Sequence, residues 1–399
     1  MKILLVNKFL YPKGGSETYV IKLGQILQDH GHEVQYFGIA DERNTVGNRV
    51  QAYARPRDFK AGVKANLTAP LSIIYNADAR RKIRMVLDDF EPDVVHLNNI
   101  QFHLTPSIIL ECHQYRKQTG RKLRIVYTAH DYQLVCPAHG LFDSRLNICE
   151  KCIGGHYGHC LRNKCVKNSY SKSLLGMLDA IFWKHCKAYS YIDTIICCSR
   201  FLKSRLDNEA RYASKTIAIH NFVDPVETRT VEREGYVLEF GHLSRDKGTF
   251  TVLEVAKRMP DVQFVFAGFG AAVDAIQAQP NAKYVGFQSG EALEMLIRKA
   301  AVTVLPSECY ENCPFTAIES QMYLTPVIGS DRGGTPELIE CGRTGEVFRA
   351  GDADDLEAKL RKVLFEPGVL ETYARNCRDY QFETRDSYYQ KLMAVYGDE

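Results

Sequence analysis

No run of about 18 consecutive apolar residues occurs in this chain, so a membrane-spanning helix is not expected. Its charge is nearly balanced: 51 Lys and Arg face 48 Asp and Glu, a net +3 that gives no basis for a nucleic-acid binder. A secretory leader is not expected either, because the short apolar run at 1–7 meets Lys8 and no small-residue cleavage site. These shortages point to a cytoplasmic chain. In that setting the 13 cysteines read as free thiols plus one metal site, and not as a disulfide scaffold. With 45% hydrophobic and 25% charged residues the composition is that of a globular protein. A length of 399 residues suits two domains.

What is present is alternation. Short apolar runs at 2–6, 32–37, 93–96, 124–127, 194–197 and 216–219 read as strands separated by helical patterns, the first over 17–28 with Val20, Leu23, Gly24 and Leu27 on one face. This is the pattern of a parallel, doubly wound sheet. The polar stretch 223–235 reads as a linker. A second series follows, with strands at 236–240, 263–267, 283–285, 302–305 and 326–328, an amphipathic helix at 354–364 and a terminal helix at 387–396. The expected organisation is an N-terminal Rossmann-like domain over 1–222, the linker, a C-terminal Rossmann-like domain over 236–380, and a segment 381–399 packing back on the first domain. Two such α/β halves imply a cleft, and ligands of these folds bind at the carboxyl ends of strands.

The most informative local feature is the run 307–320, where Glu311 and Glu319 stand eight residues apart across a helix start. Asn312 is placed to cap that helix and Pro314 to sit in its first turn. Backbone amides near Phe315 and Thr316 then form an anion site, since orphan donors and the macrodipole both favour a diphosphate there. A carboxylate, a phosphate cradle and a second carboxylate follow in order, matching sugar hydroxyls, diphosphate and ribose. Glutamates also gather in first turns simply to complement the dipole, so the pair does not decide the matter alone. Three glycine turns stand at other strand ends: Gly14-Gly15 after the first strand, Gly241-His242 with Arg245, Lys247 and Gly248 after the first strand of the second series, and Gly333-Gly334. Glycine lets a backbone approach a ligand closely, and Arg245 and Lys247 at a strand end suit a diphosphate leaving group.

Together these residues resemble the retaining family 4 glycosyltransferases of the GT-B fold (glycosyl transferases group 1), over essentially the whole chain. The motifs that carry the resemblance are Gly14-Gly15, Gly241-x-Leu-x-x-x-Lys247-Gly248, Glu311-x7-Glu319, Gly333-Gly334-x-x-Glu337 and Gly342-Arg-Thr-Gly345. It implies two Rossmann-like, doubly wound parallel-sheet domains facing a cleft. By position it places His130 beside the donor sugar, Lys247 on the departing β-phosphate, Glu311 on a sugar hydroxyl and Glu319 on the ribose. Gly15 would offer its amide to the diphosphate, and Gly14, Gly241, Arg245, Asn312, Phe315 and Thr316 would line the donor site. One departure stands out: His242 occupies the place where the family carries Arg, leaving Arg245 or a protonated His242 to supply that charge. The implied chemistry is glycosyl transfer with retention, needing electrostatic stabilisation of the leaving diphosphate and no catalytic metal. The implied role is transfer of a hexosyl unit from a nucleotide-diphosphate sugar to a glycan or lipid-linked acceptor, in surface polysaccharide or glycolipid assembly at the inner face of the membrane. Rival readings are a sugar-nucleotide epimerase-like GT-B enzyme, a non-catalytic nucleotide-sugar-binding protein, and a metal-knuckle binder.

Between the N-domain strands lies an insertion, 136–165, that the fold does not require. Cys149 and Cys152 form a C-x2-C pair, and Cys160 and Cys165 supply two more thiols. Four thiolates suit a structural zinc, with an iron–sulfur cluster or metal-free thiols as alternatives. Positive charge at Lys60, Lys64, Arg80, Arg81, Lys82 and Arg84 fits an anionic leaflet or simple solvation, and the aromatic, basic stretch 182–191 reads as a packed helix face that an interfacial role would also suit.

Overall fold

The computed structural model describes residues 1–56, 73–224, 226 and 231–397. The chain divides into two compact units, Met1–His220 with Arg385–Glu399, and Asn221–Thr384. Each is built on a six-stranded parallel sheet.

In the first unit the strands are β1 (Lys2–Val6), β2 (Glu33–Phe37), β3 (Val94–Leu97), β4 (Arg124–Ala129), β5 (Thr194–Cys197) and β6 (Thr216–Ala218), in the order β2-β1-β3-β4-β5-β6. Ile3, Leu4, Leu5 and Val6 are all 0% exposed. An inner strand of a parallel sheet has no solvent face, so it reads as an unbroken apolar run and not as an alternation. The direction of winding reverses between β1 and β3, and that reversal opens a crevice at their carboxyl ends. Helix Gly15–Asp29 starts there. Helix Arg385–Tyr396 returns to this same unit. Its Tyr396 hydroxyl is 2.7 Å from Nδ1 of His96 on β3, and its Tyr388 hydroxyl bonds that of Tyr19. The other ring nitrogen of His96 meets the Thr128 hydroxyl at 2.7 Å. Burial pushes the His96 pKa down to about 3, so this histidine is neutral and structural.

The second unit holds β7 (Val237–His242), β8 (Phe264–Phe269), β9 (Ala282–Tyr284), β10 (Val302–Leu305), β11 (Val327–Ser330) and β12 (Gly345–Phe348), in the order β12-β11-β10-β7-β8-β9. Val237, Phe264, Phe266, Val302, Val304 and Ile328 form one side of its core, closed by Leu356, Leu360 and Val363 of helix Ala353–Phe365. Here the reversal falls between β7 and β10. β12 was not among the strands expected, because its four residues carry Glu346 in the middle. That carboxylate is 1% exposed and held by Lys362 at 2.6 Å, Lys359 at 3.1 Å and the Tyr373 hydroxyl at 2.5 Å. Burial alone would raise its pKa; these three partners instead bring it down to about 2.

Candidate active site

The two loops that leave β7 and β10 meet at the reversal point of the second unit. Lys247 Nζ donates to Glu311 Oε1 at 2.6 Å, and the Ser307 hydroxyl donates to the same oxygen at 2.6 Å. Burial works against the Lys247 charge, yet the Glu311 carboxylate and its neighbours raise its pKa overall, so the amine is cationic at neutral pH. Two glycines make this meeting possible. Gly248 has φ +79°, and a Cβ there would lie 1.9 Å from the Pro306 carbonyl oxygen. Gly333 has φ +63°, and a Cβ there would lie 2.0 Å from the Glu311 carbonyl oxygen, which accepts from Gly334 N–H at 2.7 Å. The backbone amides of Glu308 and Cys309 donate to the Asp246 carbonyl at 3.0 and 3.1 Å, tying one loop to the other.

Glu319 stands on helix Phe315–Met322. It borders an open groove of about 600 Å³ that is also lined by Gly290, Leu293, Glu294 and Tyr323. Phe315 and Thr316 are the first two helical residues, as the anion-site reading requires, but the cap differs from expectation. Pro314, not Asn312, is the N-cap, with ψ 118° and no side-chain cap bond. The residue before a proline is pushed out of the helical region, so Cys313 cannot be helical and the helix begins two positions after it. On the other side, His242 Nδ1 lies 3.0 Å from the Ser244 hydroxyl, which donates to Asp246 at 2.7 Å. Arg245 is exposed, its guanidinium 5.8 Å from the Phe250 ring centre. Gly241 sits just before His242 with φ +124°. The sequence reading passed over an aromatic face beside them: His242 and Phe269 rings are 5.4 Å apart, Phe269 and Phe287 6.2 Å, and the two phenylalanines are 58% and 67% exposed. The signal available in the sequence was a phenylalanine two residues past the end of each of the expected strands 263–267 and 283–285.

In the first unit the matching crevice gathers Gly14, Gly15 and His130. Gly14 is the N-cap of helix Gly15–Asp29. Its backbone is extended (φ −166°), so the glycine serves close approach and not a left-handed turn. Two asparagines after β3, also passed over, hold the parts together. Asn99 Nδ2 donates to the Ser16 hydroxyl at 2.7 Å, and Asn98 Oδ1 lies 3.0 Å from His130 Nε2. Asn98 Nδ2 points to the carbonyls of Val6 and His96, so its oxygen faces His130 and His130 Nε2 is the donor. Burial lowers the His130 pKa to about 4, which makes it a neutral group near pH 7.

The four thiols expected to share a metal lie in one neighbourhood, where Cys152 is close enough to Cys136, Cys149 and Cys165 for their charges to act on it. Among the described residues no three His, Cys, Asp or Glu side chains form a group that could hold a metal ion. Instead Cys152 and Cys160 pack with Tyr157 in an apolar cluster that Cys165 and Met177 border. Cys160 and Cys165 are hydrogen-bonded to each other, and Cys149 Sγ accepts from Asn163 Nδ2 at 3.7 Å. Burial raises the Cys152 pKa to about 12, and the neighbouring Cys136, Cys165 and Cys149 thiols push it the same way. The insertion has the small apolar core that its sequence hid. The basic cluster at 80–84 is also altered by its surroundings. Arg80 pairs with Glu111 at 2.6 Å, Arg81 with Asp78 at 3.1 Å and Arg84 with Asp88 at 2.7 Å, which spends most of that charge internally. Lys60 and Lys64 lie outside the described residues.

Two parallel Rossmann-like sheets, each with a glycine loop at its reversal point, define a GT-B protein. The sequence profile "Glycosyltransferase Family 4" matches residues 13–227 and "Glycosyl transferases group 1" matches 223–381. The chain belongs to glycosyltransferase family 4. A protein of the cps region of Klebsiella pneumoniae, itself uncharacterized, is 23% identical over 85% of this chain and 87% of its own. An uncharacterized glycosyltransferase of Methanocaldococcus jannaschii is 22% identical over 76% of this chain and 90% of its own. Among solved structures, the lipopolysaccharide outer core galactosyltransferase WaaB has a TM-score of 0.66 at 18% identity, with both chains covered fully. Anabaena HepE, solved with UDP-glucose, has a TM-score of 0.67 at 16% identity, again over the whole of both chains. At such identities the structural likeness speaks for the fold.

Proposed function

We propose that this glycosyltransferase moves a hexosyl unit from a nucleotide-diphosphate sugar to a glycan or lipid-linked acceptor, with retention, in surface polysaccharide or glycolipid assembly. The observation that carries the reading is the Lys247–Glu311 contact of 2.6 Å at the reversal point of the second sheet. A permanent cation and a carboxylate held together there match the two ends of a sugar–phosphate bond. Lys247 exchanges Glu311 for the β-phosphate and stabilises the charge that develops as it leaves. Glu311, steadied by Ser307, takes a sugar hydroxyl. The first amides of helix Phe315–Met322 take the diphosphate, and Glu319, at the groove, takes the ribose. The exposed face of Phe269 and Phe287 suits stacking of the base.

Gly15 offers its amide to the diphosphate, and His130, neutral and fixed by Asn98, acts as a hydrogen-bonding group beside the sugar and not as a cation. A departing phosphate oxygen takes the acceptor proton on the same face, and no catalytic metal is required by this arrangement. The complexes of HepE with UDP and UDP-glucose support a uridine donor.

Calorimetric titration with UDP and UDP-sugars tests the reading. Glu319→Ala should weaken UDP binding by roughly tenfold or more, the loss of charge-assisted ribose bonds. Glu311→Ala should abolish transfer while UDP still binds. If both variants bind UDP like the wild type, the assignment of the glutamate pair is wrong.

A further inference from the structure

Helix Tyr170–His185 carries an apolar face on its outside. Tyr170 is 60% exposed, Leu174 41%, Leu178 44%, Ile181 36% and Phe182 38%. At about 100° per residue these five fall within a sector of about 120° on one side of the helix. Ser173, Gly176 and Trp183, which are buried, lie on the opposite side. The outward face is therefore not a scatter of single exposed residues but one continuous stripe of roughly three and a half turns. Lys184 borders it along one edge, and Lys172 is exposed in the first turn of the helix.

The charge around the stripe is as lopsided as its polarity. Residues 162–187 contain Arg162, Lys164, Lys167, Lys172, Lys184 and Lys187 against the single carboxylate Asp179, in a chain whose net charge is only +3. None of these six cations is ion-paired with a carboxylate among the described residues, in contrast to Arg80, Arg81 and Arg84. Lys164 instead lies 4.3 Å from the ring centre of Tyr170, at the start of the stripe. Asp179 is itself buried enough that its pKa rises to about 7, and it accepts from Trp183 Nε1 at 3.0 Å, so it does little to offset the cations.

We propose that this face of helix Tyr170–His185 docks the chain on an anionic bilayer, lying in the interface with Leu174, Leu178, Ile181 and Phe182 among the acyl chains and the flanking lysines on lipid phosphates. An apolar stripe edged by unpaired cations is the pattern that partitions into such an interface, and each lysine near the surface adds attraction that salt screens. A partner protein would have to match both the stripe and its basic border, whereas an anionic lipid surface supplies both at once. The proposal stands on this helix alone and does not depend on the identity of the sugar donor.

Flotation of the full chain with vesicles tests it. The wild type should float with vesicles of phosphatidylcholine and phosphatidylglycerol, bind pure phosphatidylcholine at least about tenfold more weakly, and be released by high salt. Leu174→Ser with Leu178→Ser and Phe182→Ser should lower the partition by about tenfold or more. These positions are on the surface, so an unchanged thermal midpoint confirms that the variant is folded. A second variant, Lys167→Glu with Lys172→Glu and Lys187→Glu, should lose binding to the anionic vesicles without touching the stripe. Wild type that stays with the soluble fraction overturns the proposal, as does binding that survives both variants. A wild-type dimer in analytical ultracentrifugation that the serine variant dissolves, with no vesicle binding, overturns it in favour of a second copy of this chain.

Discussion

Glu239 offers a quantitative test of how the active-site loops are supported. It sits in β7, two residues before Gly241, and is 4% exposed. Its Oε1 accepts a 2.6 Å bond from the Thr249 hydroxyl, which stands just after Gly248, while its Oε2 has no partner. The contact thus joins the strand end to the helix start beneath the loop that carries Lys247. Burial raises the Glu239 pKa from the ordinary 4.5 to about 8, the Thr249 bond opposing it only in part. The folded chain therefore keeps a proton that the unfolded chain loses near pH 4.5. Between pH 4.5 and about 8 the unfolded state binds fewer protons, and stability falls as pH rises across that window. At ~1.4 kcal/mol per pH unit the full window, from 4.5 to about 8, is worth about 5 kcal/mol. This is an upper bound, because local opening that hydrates the carboxylate lowers the folded-state pKa. Glu239→Gln keeps the shape and the acceptor for Thr249 and removes the titration. Differential scanning calorimetry in matched buffers should find the two proteins equal near pH 4, below the ordinary pKa of 4.5. By pH 8 the variant should melt higher, by roughly 5–10 °C for a unit of this size. Asp179 changes stability with pH in the same direction, but the difference between the two proteins cancels it. A gap that does not vary with pH, or a variant that melts lower at pH 8, would refute the reasoning.

Two further outcomes are expected. Lys247→Met should reduce kcat by on the order of 10²–10³ with a smaller change in KM, the usual loss when one positioned charge is removed from a developing anion, and Lys247→Arg should recover part of it. Steady-state kinetics with the preferred nucleotide sugar reads this, and an unchanged kcat would remove Lys247 from the reaction. Dialysis against EDTA should leave the thermal midpoint unchanged, because Cys152 and Cys160 pack in an apolar cluster with Cys165 against it; a fall of several degrees with zinc or iron in the dialysate would restore the metal.

The strands were the most legible part of the fold. β1, β5 and β10 fall at the positions their apolar runs indicate, because an inner parallel strand is apolar on both faces and needs no knowledge of its neighbours. β12 was hidden because Glu346 becomes compatible with burial only through Lys359, Lys362 and Tyr373, which come from helices later in the chain. The site divides in the same way. Glycines, Lys247 and the glutamate pair carry local patterns and were read. Asn98 and Asn99 carry none, since an asparagine is recognisable as a strut only once its partners 83 residues before it and 32 after it are known. The Lys247–Glu311 contact spans 64 residues and exists because β10 returns to lie beside β7.

Helix Tyr170–His185 shows the limit most clearly. Hydrophobic periodicity reports that a helix has an apolar side, and the inference that this side faces inward assumes that burial within the chain is the only use for it. Phe182 and Trp183 are neighbours in an aromatic stretch that reads as a packed face, yet one is 38% exposed and the other 1%, since successive helical residues point about 100° apart. The inward side here is made of Ser173 and Gly176 with Trp183, small enough to let the helix lie close, and it carries the weaker apolar signal. Periodicity alone would therefore assign the stripe to the core, where shape has already chosen the smaller residues. The stronger apolar face is left outside with unpaired lysines around it, and a protein pays the solubility cost of such a face only where something covers it.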